Sequence, residues 1–300
     1  MRPPAQKHLH GIFWMFVTGL CFIAVTALVK FMGPRMPPAE TAFLRYLLGL
    51  VFLLPMLGQL RALTLSPRLW RLFSLRGLCH AGGVVLWFYA MTRIPIAEVT
   101  AMNYLAPVYV TIGAALFLGE RLAARRIFAV LTALIGAAII LRPGFREVSA
   151  GHLAMLLAGV VFAASYLLAK VLANETPASL VVAMLSIIVT IALAPLALLD
   201  WVAPTLTDLA LLFAIAGFAT AGHYTMTLAF AAAPVMVTQP VTFLQLVWAM
   251  LLGTLVFAEP LDFWVVMGGA IILASVTFIT WREAVLGRRA ITPPAPATKT

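Results

Sequence analysis

The stretch NYLAPVYVTIGAALFLGER at residues 103–121 is apolar for nearly the width of a bilayer and then ends on an acidic and a basic residue. The stretch TFLQLVWAMLLGTLVFAEP at residues 242–260 has the same form, 139 positions later. An apolar run of about 20 residues is what a membrane-spanning helix requires. Two such runs of matching shape indicate a membrane protein that contains an internal repeat.

The composition places the whole chain in a membrane. Of its 300 residues, 63% are apolar and only 10% are charged, and the mean hydropathy is +1.06. A soluble domain carries about 25% charged residues and could not bury so much apolar surface. The net charge of +10 does not indicate nucleic-acid binding, because the basic residues lie between apolar runs and form no stripe among aromatics. The two cysteines, Cys21 and Cys79, lie inside apolar runs, which argues against a disulfide framework and a cysteine metal site.

The apolar runs predict an all-α integral membrane protein with ten transmembrane helices. Spanning β-strands would alternate with period two over about ten residues, and these runs do not alternate. The first run is too long for the apolar part of a cleaved signal peptide, so we interpret it as a retained helix. The predicted spans are residues 11–32, 40–58, 72–92, 97–118, 126–143, 151–173, 179–199, 207–231, 235–257 and 262–281.

The ten helices divide into two copies of a five-helix unit. Residues 11–37 match residues 151–177 at an offset of 140, and the offset becomes 139 from the third helix onward. The matches that chance explains least well are Lys30 with Lys170, Pro37 with Pro177, Pro95 with Pro234 and Glu120 with Glu259. Because five is odd, the second unit enters the membrane from the opposite side. Inverted repeats are typical of secondary transporters, whose substrate site lies where the two halves meet.

Basic residues in the short connections predict the orientation. If the N-terminus is cytoplasmic, 13 Lys and Arg residues lie on the cytoplasmic side and five on the other. We therefore expect both termini in the cytoplasm. The predicted organisation is a cytoplasmic N-terminus at 1–10, repeats at 11–147 and 148–283, and a disordered cytoplasmic tail at 284–300.

The stretch YLAPVYVTIGAALFLGERLAARRIFAVLTALIGAAIILRPG (104–144), with the five-plus-five duplication, resembles the EamA-type drug/metabolite transporter superfamily over residues 11–281. The second copy departs from this pattern, with Leu246 in place of Pro107 and AEP in place of GER. The resemblance implies a ten-helix carrier of the bacterial inner membrane, many of which export amino acids and other metabolites. RGLCHAGGVVLWFYAMTRIPIAE (76–98) and LRPG (141–144) are similar to the branch for S-adenosylmethionine or riboflavin uptake.

Polar residues inside apolar helices are the candidates for substrate binding. A charge at the midplane costs about 2.5–3.5 kcal/mol on insertion scales and often marks a transport pathway. Arg45 can face a cavity and bind an anionic group, or reach outward to the headgroups. His80 and His223 can bind substrate, relay a proton or simply bond a neighbouring helix. The other candidates are Trp87, Asn103, Tyr104, Tyr224, Gln239 and Gln245, which can bond or stack on a substrate or serve packing between helices.

Two further groups are predicted to be structural. Glu120 and Glu259 end matching helices at the membrane edges, where a lock with neighbouring helix ends or loop arginines is expected. Small residues in the fourth, fifth, ninth and tenth helices predict close packing of the fourth on the fifth and the ninth on the tenth.

The sequence therefore predicts a secondary transporter of a small organic metabolite, amino-acid-like, nucleoside-like or flavin-like, that works by alternating access. A multidrug or nucleotide-sugar carrier is the alternative within this class. An intramembrane enzyme acting on a lipid-linked substrate is the alternative from another class, and the scattered acidic residues argue against it. The sequence shows no ATP-binding motif, metal-binding motif or cofactor motif. Proton coupling and the oligomeric state stay open.

Overall fold

The computed structural model describes residues 4–56, 65–117, 124–145, 147–173, 175–233, 238, 241 and 243–291. Within these residues α-helices follow one another along the chain. They are α1 (Pro4–Met32), α2 (Pro38–Gly49), α3 (Pro67–Met91), α4 (Ile96–Asn103), α5 (Ala106–Phe117), α6 (Ala124–Leu141), α7 (Ala150–Ala173), α8 (Ala178–Leu199), α9 (Leu206–Ala232), α10 (Phe243–Phe257) and α11 (Phe263–Ile291). The helices α4 and α5 together form the fourth span. The ten-span, all-α membrane architecture is thereby confirmed.

Proline and short polar side chains set the helix starts. Pro38 and Pro67 stand in the first turns of α2 and α3, where the missing N–H costs no hydrogen bond. The Ser66 hydroxyl accepts a bond from the Leu69 N–H at 3.3 Å. At α9, Thr205 and Asp208 form a capping box, in which each side chain accepts the backbone N–H of the other.

The second and fourth spans differ from the single helices that the apolar runs predict. The second changes at Leu50 from α-helix to a 3₁₀ segment that runs to Met56. The fourth breaks at Tyr104 and Leu105, between α4 and α5. Pro107 explains this break, because it has no N–H to bond the carbonyl of Asn103. A broken helix in mid-membrane is a common feature of transporter binding sites.

The two five-span units interleave, and their contacts have two-fold symmetry. The most extensive contacts join α1 to α9 and α3 to α7, and the repeat offset converts one of these pairs into the other. The same exchange maps the pairs α2–α8 and α6–α11 onto themselves. The apolar core therefore lies between the halves more than within either one.

The fifth span packs on the tenth, not on the fourth as the small residues suggested. Gly136 of α6 and Gly268 of α11 lie face to face, and a Cβ added at Gly136 would come within 2.8 Å of the Gly268 carbonyl oxygen. Contacts of α6 with α5, and of α11 with α10, are few. The close backbone approach thus joins the two repeats at the side of the bundle.

Candidate functional site

A central cavity of about 290 Å³ lies between the two repeats. This volume is at the lower end of the range for sites that bind drug-sized ligands. The cavity is lined by Met15, Thr18, Gly19, Phe22, Val25, Arg45, Tyr46, His80, Val84, Trp87, Asn103, Tyr104, Ala106, Pro107, Phe162, Tyr166, Ala219, His223, Met226, Gln245 and Val276. On α1 the lining begins at Met15 and ends at Val25, near the middle of the helix, so the cavity lies at mid-membrane.

Most of the residues that the sequence singled out meet in this cavity. Arg45, His80, Trp87, Asn103, Tyr104, His223 and Gln245 all line it. Tyr224 does not: its side chain is directed away from the cavity and is 65% exposed. Successive helical residues lie about 100° apart, so a wall that includes His223 turns Tyr224 outward. Gln239 lies outside the described residues.

Arg45 carries the positive charge of the cavity wall. It is only 9% exposed, and its guanidinium lies over the Tyr46 ring, 4.1 Å from the ring centre. Among the described residues no carboxylate pairs with Arg45, and neither Asp nor Glu lines the cavity. A guanidinium presents several N–H donors in a planar fork, which suits carboxylate, phosphate or paired carbonyl groups.

His80 is held in a polar network beside this arginine. Its Nε2 lies 3.0 Å from the Tyr46 hydroxyl, and its Nδ1 lies 3.4 Å from the hydroxyl of Ser165 on α7. The histidine is buried, and both ring nitrogens are satisfied. The network therefore joins both repeats through His80 and presents Tyr46 to the cavity.

Aromatic rings form the other wall. The ring centres of Phe162 and His80 are 5.1 Å apart, and the Phe162 ring stacks on Tyr166 with an interplanar angle of 18°. Trp87 packs edge-on against the same phenylalanine, and its indole N–H has no partner among the described residues. Flat rings along this wall favour a planar ligand.

The break in the fourth span adds polar backbone to the site. Asn103 and Tyr104 stand at the end of α4 and line the cavity, next to Pro107. Since Pro107 cannot donate to the Asn103 carbonyl, this carbonyl is left without its helical partner. A substrate N–H or O–H is a suitable donor to such a group.

The contact of α1 with α9 holds a polar pair beside the cavity, of which Thr18 lines the cavity and Thr225 does not. The hydroxyls of Thr18 and Thr225 are 2.9 Å apart, and Phe22 packs edge-on against His223 with ring centres 5.2 Å apart. The sequence analysis did not select Thr18, Tyr46 or Phe162. A signal for Phe162 exists in Gly83, whose missing side chain makes room for the Phe162 ring.

The end of the cavity nearer the end of α1 is closed by pairs of ionisable side chains. Lys30 pairs with Glu259 and donates to the Ile94 carbonyl at 3.0 Å, while Glu259 accepts the Ile96 N–H at 3.0 Å. Arg142 pairs with Asp262, and Glu98 pairs with His152. Each of these three pairs joins one repeat to the other. We call the end of the bundle that contains them the closed face.

Glu259 therefore has the kind of partners expected for a helix-end lock, although these are a lysine and a backbone N–H and not a loop arginine. Glu120, its match in the first repeat, lies outside the described residues.

Arg76, on the same helix face as His80, donates to the Val181 carbonyl at 2.6 Å and so ties α3 to α8.

Sequence comparison identifies the family of this two-fold bundle. The model of the EamA-like transporter family matches residues 9–142 and again residues 149–281. The chain belongs to the EamA-like transporter family. It is thus a multi-pass membrane protein of a family of small-molecule transporters, and the resemblance noted in the sequence is confirmed.

Several EamA-family relatives cover almost the whole chain. A riboflavin transporter of Vibrio cholerae is 33% identical over 94% of this chain and 97% of its own length. A riboflavin transporter of Rhizobium johnstonii is 31% identical over 91% of each chain. An S-adenosylmethionine uptake transporter of Rickettsia prowazekii is 24% identical over 94% of this chain and 96% of its own. A solved crystal structure with 18% identity shares the fold, with a TM-score of 0.60 over 96% of this chain and 99% of that one.

Proposed function

We propose that this EamA-family protein is a secondary transporter that carries a planar, heteroaromatic metabolite across a bacterial inner membrane by alternating access. The observation that carries the proposal is the central cavity between two inverted repeats, with the closed face at its far end. Two inverted halves of similar structure can exchange a conformation that is open at one membrane face for a conformation that is open at the other. The positive-inside bias supports a periplasmic closed face and cytoplasmic termini.

The chemistry of the wall favours a neutral or anionic flat ligand. Arg45 is a fixed positive charge without a carboxylate partner in the described cavity, and the rings of Trp87 and Phe162 offer stacking surfaces. The isoalloxazine ring of riboflavin is uncharged, planar and carries two carbonyl acceptors beside an imide N–H. Arg45 can donate to its carbonyls, while the Asn103 carbonyl can accept its N–H. Riboflavin is therefore the first substrate to test.

S-adenosylmethionine suits the cavity less well. Its sulfonium and ammonium groups outweigh its one carboxylate and give it a net positive charge at neutral pH. Two like charges about 6 Å apart, at an effective dielectric constant of about 20, repel by on the order of 3 kcal/mol. No acidic side chain among the described lining residues offsets that repulsion. The same argument disfavours cationic drugs.

An intramembrane enzyme would need different residues. Hydrolysis or transfer on a lipid-linked substrate calls for paired carboxylates, or for a nucleophile beside a base. The described central cavity has histidines but no acidic residue, and Ser165, whose hydroxyl lies beside His80, is fully buried and does not line the cavity. Transport fits this arrangement better than catalysis.

The test is riboflavin binding and transport with purified protein in liposomes. We expect saturable quenching of riboflavin fluorescence and counterflow into riboflavin-loaded vesicles. Arg45→Gln should weaken binding by about 1.5–3 kcal/mol, roughly ten- to hundredfold, as for loss of a hydrogen bond to a charged group. Arg45→Lys should recover only part of the affinity, because an ammonium lacks the planar fork.

The single variants His80→Ala and His223→Ala test the contribution of each histidine to transport. Tyr224→Ala is the matched control on the outward side of α9. We expect lower transport for the histidine variants with normal membrane insertion, and near-normal transport for Tyr224→Ala. Transport of S-adenosylmethionine without riboflavin would overturn the substrate assignment. Unchanged transport in Arg45, His80 and His223 variants would reject this cavity as the binding site.

A further inference from the structure

The contact of α1 with α9 and the contact of α3 with α7 are built in the same way. Phe22 of α1 lies against Gly222 of α9, where an added Cβ would be 3.4 Å from the ring. Phe162 of α7 lies against Gly83 of α3, where the same distance is 2.7 Å. The repeat offsets convert Phe22 into Phe162 and Gly83 into Gly222. In both interfaces an aromatic ring thus occupies the space of a missing side chain on the partner helix.

A second contact is also present in both interfaces. Gly11 of α1 packs against Ala233, just after the end of α9. Gly151 of α7 packs against Ile94, which follows the end of α3. Gly151 is the match of Gly11 at the offset of 140, and Ala233 is the match of Ile94 at the offset of 139. The two interfaces therefore agree at one end as well as in the middle.

An ion pair closes the other end of each interface. Arg35, which follows α1, pairs with Asp208 in the first turn of α9. Glu175, which follows α7, pairs with Arg68 in the first turn of α3, with 2.6 Å between nitrogen and oxygen. Arg35 matches Glu175 at the offset of 140, and the partner positions match to within one residue, so the charges are interchanged. One pair lies at the closed face and the other at the opposite face, and both are formed in the same conformation.

The contacts of α1 with α10 and of α7 with α5 are not alike. A Cβ added at Gly19 of α1 would lie 3.9 Å from the Gln245 side chain of α10. At Gly159, the match of Gly19 on α7, it would lie 2.7 Å from the Tyr109 ring of α5. The match of Tyr109 is Trp248, which stands three residues after Gln245. The two interfaces thus differ by about one helical turn.

We propose that α1 with α9, and α3 with α7, form two rigid helix pairs that stay together through the transport cycle, while α10 moves along α1 and α5 along α7 by about one turn. The proposal rests on the alternating-access function proposed above. In a carrier with inverted repeats, the opposite conformation is reached when each repeat takes the conformation of the other. A contact that both copies already make is unchanged by this exchange. A contact that only one copy makes is replaced by its match, so that Gly19 then lies against Trp248. Shifts of one turn between packed elements are a known form of conformational switching.

Two ion pairs at the end of α1 should therefore behave differently. Lys30 pairs with Glu259 at the end of α10, across an interface that changes, so this pair separates when the closed face opens. Arg35 stands five residues later and pairs with Asp208 of α9, across an interface that does not change. If the two repeats simply moved apart as units, both pairs would separate.

The first experiment locks each pair with a zinc ion between two engineered histidines, which are common zinc ligands. One protein carries Lys30→His with Glu259→His, and the other carries Arg35→His with Asp208→His. Both proteins also carry Val25→Cys, which places a thiol in the central cavity, and lack the two native thiols through Cys21→Ala and Cys79→Ala. A maleimide that cannot cross the inner membrane is added to intact cells, so that it reaches this thiol when the closed face opens.

Zinc should slow labelling in only one of the two proteins. A ligand at about 100 times its dissociation constant shifts an equilibrium toward the state that binds it by about a hundredfold. We expect zinc to slow labelling at least about tenfold in the Lys30→His, Glu259→His protein, and less than about twofold in the Arg35→His, Asp208→His protein. A chelator should restore the rate, and Val25→Cys without engineered histidines gives the effect of zinc alone. Calorimetry confirms beforehand that each purified protein binds zinc.

Either of two results would overturn the proposal. Slower labelling in the Arg35→His, Asp208→His protein would show that α1 and α9 separate. Unchanged labelling in the Lys30→His, Glu259→His protein would show that α1 and α10 do not. Lys30→His with Phe257→His is a second bridge between α1 and α10, because Lys30 Nζ lies 5.9 Å from the centre of the Phe257 ring, and it keeps Glu259 in place.

The second experiment tests the opposite face and separates this proposal from the substrate assignment. Riboflavin counterflow into liposomes is measured with and without zinc in the Arg68→His, Glu175→His protein. We expect rates within about twofold of each other, against a loss of counterflow in the Lys30→His, Glu259→His protein. Inhibition by zinc in the first protein would overturn the rigid pair of α3 with α7 and leave the riboflavin carrier intact. Absence of riboflavin uptake in the parent protein, with zinc-sensitive labelling only in the Lys30→His, Glu259→His protein, would reject riboflavin and support the rigid pairs.

Discussion

Lys30, near the end of the first span, and Glu259, at the end of the ninth, form an ion pair that joins the two repeats across the closed face. Both also bind the backbone around Pro95: Lys30 holds the Ile94 carbonyl and Glu259 the Ile96 N–H. The turn between the third and fourth spans is thus held from both sides. Their side chains are only 18% and 12% exposed, so water screens the pair little.

Removal of both partners of this pair should destabilise the protein by less than the sum of the two single removals. Lys30→Met leaves Glu259 as an unpaired, largely buried charge, a change that costs up to about 3–5 kcal/mol. We expect Lys30→Met and Glu259→Gln each to lower the apparent melting temperature, and the double variant to lose less than the sum. The measurement is a double-mutant cycle, with an expected coupling of about 1–3 kcal/mol. Additive losses would show that the two charges do not interact.

A methyl group at Gly83 should reduce the central cavity. An added Cβ there would lie 2.7 Å from the Phe162 ring, which forms one wall of the site. Gly83→Ala should therefore push that ring toward the ligand, at a cost of about 1–3 kcal/mol in packing. We expect weaker riboflavin binding at near-normal expression.

The neighbouring glycine gives the matched control for this prediction. A Cβ at Gly82 would lie 3.8 Å from Val161, which is ordinary contact. Gly82→Ala should bind riboflavin like the parent protein. Equal effects of the two substitutions would show that the Phe162 wall does not set the affinity.

A substitution at Pro107 should make the fourth span a continuous helix. Pro107→Ala supplies an N–H for the Asn103 carbonyl and allows α4 and α5 to join as one helix. We expect a higher melting temperature, by an amount that corresponds to about 1 kcal/mol for the added hydrogen bond. Riboflavin transport should fall, because the Asn103 carbonyl then accepts the backbone N–H and is not available to the substrate. Increased stability with unchanged transport would remove the Asn103 carbonyl from the binding site.

The contact of α6 with α11 should be intolerant of added volume. A Cβ at Gly136 would lie 2.8 Å from both the Gly268 carbonyl oxygen and the Ile272 side chain. Gly136→Ala should lower the free energy of unfolding by about 1–3 kcal/mol, because backbone cannot move aside as a flexible side chain can. Gly217→Ala, whose Cβ would have only Phe52 at 3.8 Å, should be close to neutral. Thermal unfolding in the same detergent compares the two.

Much of the architecture follows from patterns that are local in sequence. The apolar runs and the matched lysines and glutamates were enough to predict ten spans and two inverted copies. The polar residues within the apolar runs also identified much of the lining of the central cavity, since a polar group inside a membrane needs water or a hydrogen-bond partner. Arg45, His80 and His223 are clear examples.

The rest depends on how the helices are rotated and paired. His223 and Tyr224 are neighbours in sequence, and only the packing of α9 against α1 decides which of them faces the cavity. The sequence likewise revealed that Glu259 recurs at a helix end, but its partner Lys30 lies 229 residues away. The Glu98–His152 pair gave no signal, because each residue taken alone reads as an ordinary helix-end polar group.

The interleaving of the repeats also has a consequence for biosynthesis. The surfaces of α1 and α3 that contact α9 and α7 have no partner until the later helices have been made. The first five helices must therefore wait in the membrane with these surfaces against lipid or an insertion factor. Because α6 packs on α11, the last helix to leave the ribosome completes a contact with the fifth span. A chain that stops before its tenth span should thus be degraded as an unassembled protein, even though nine of its helices are correctly inserted.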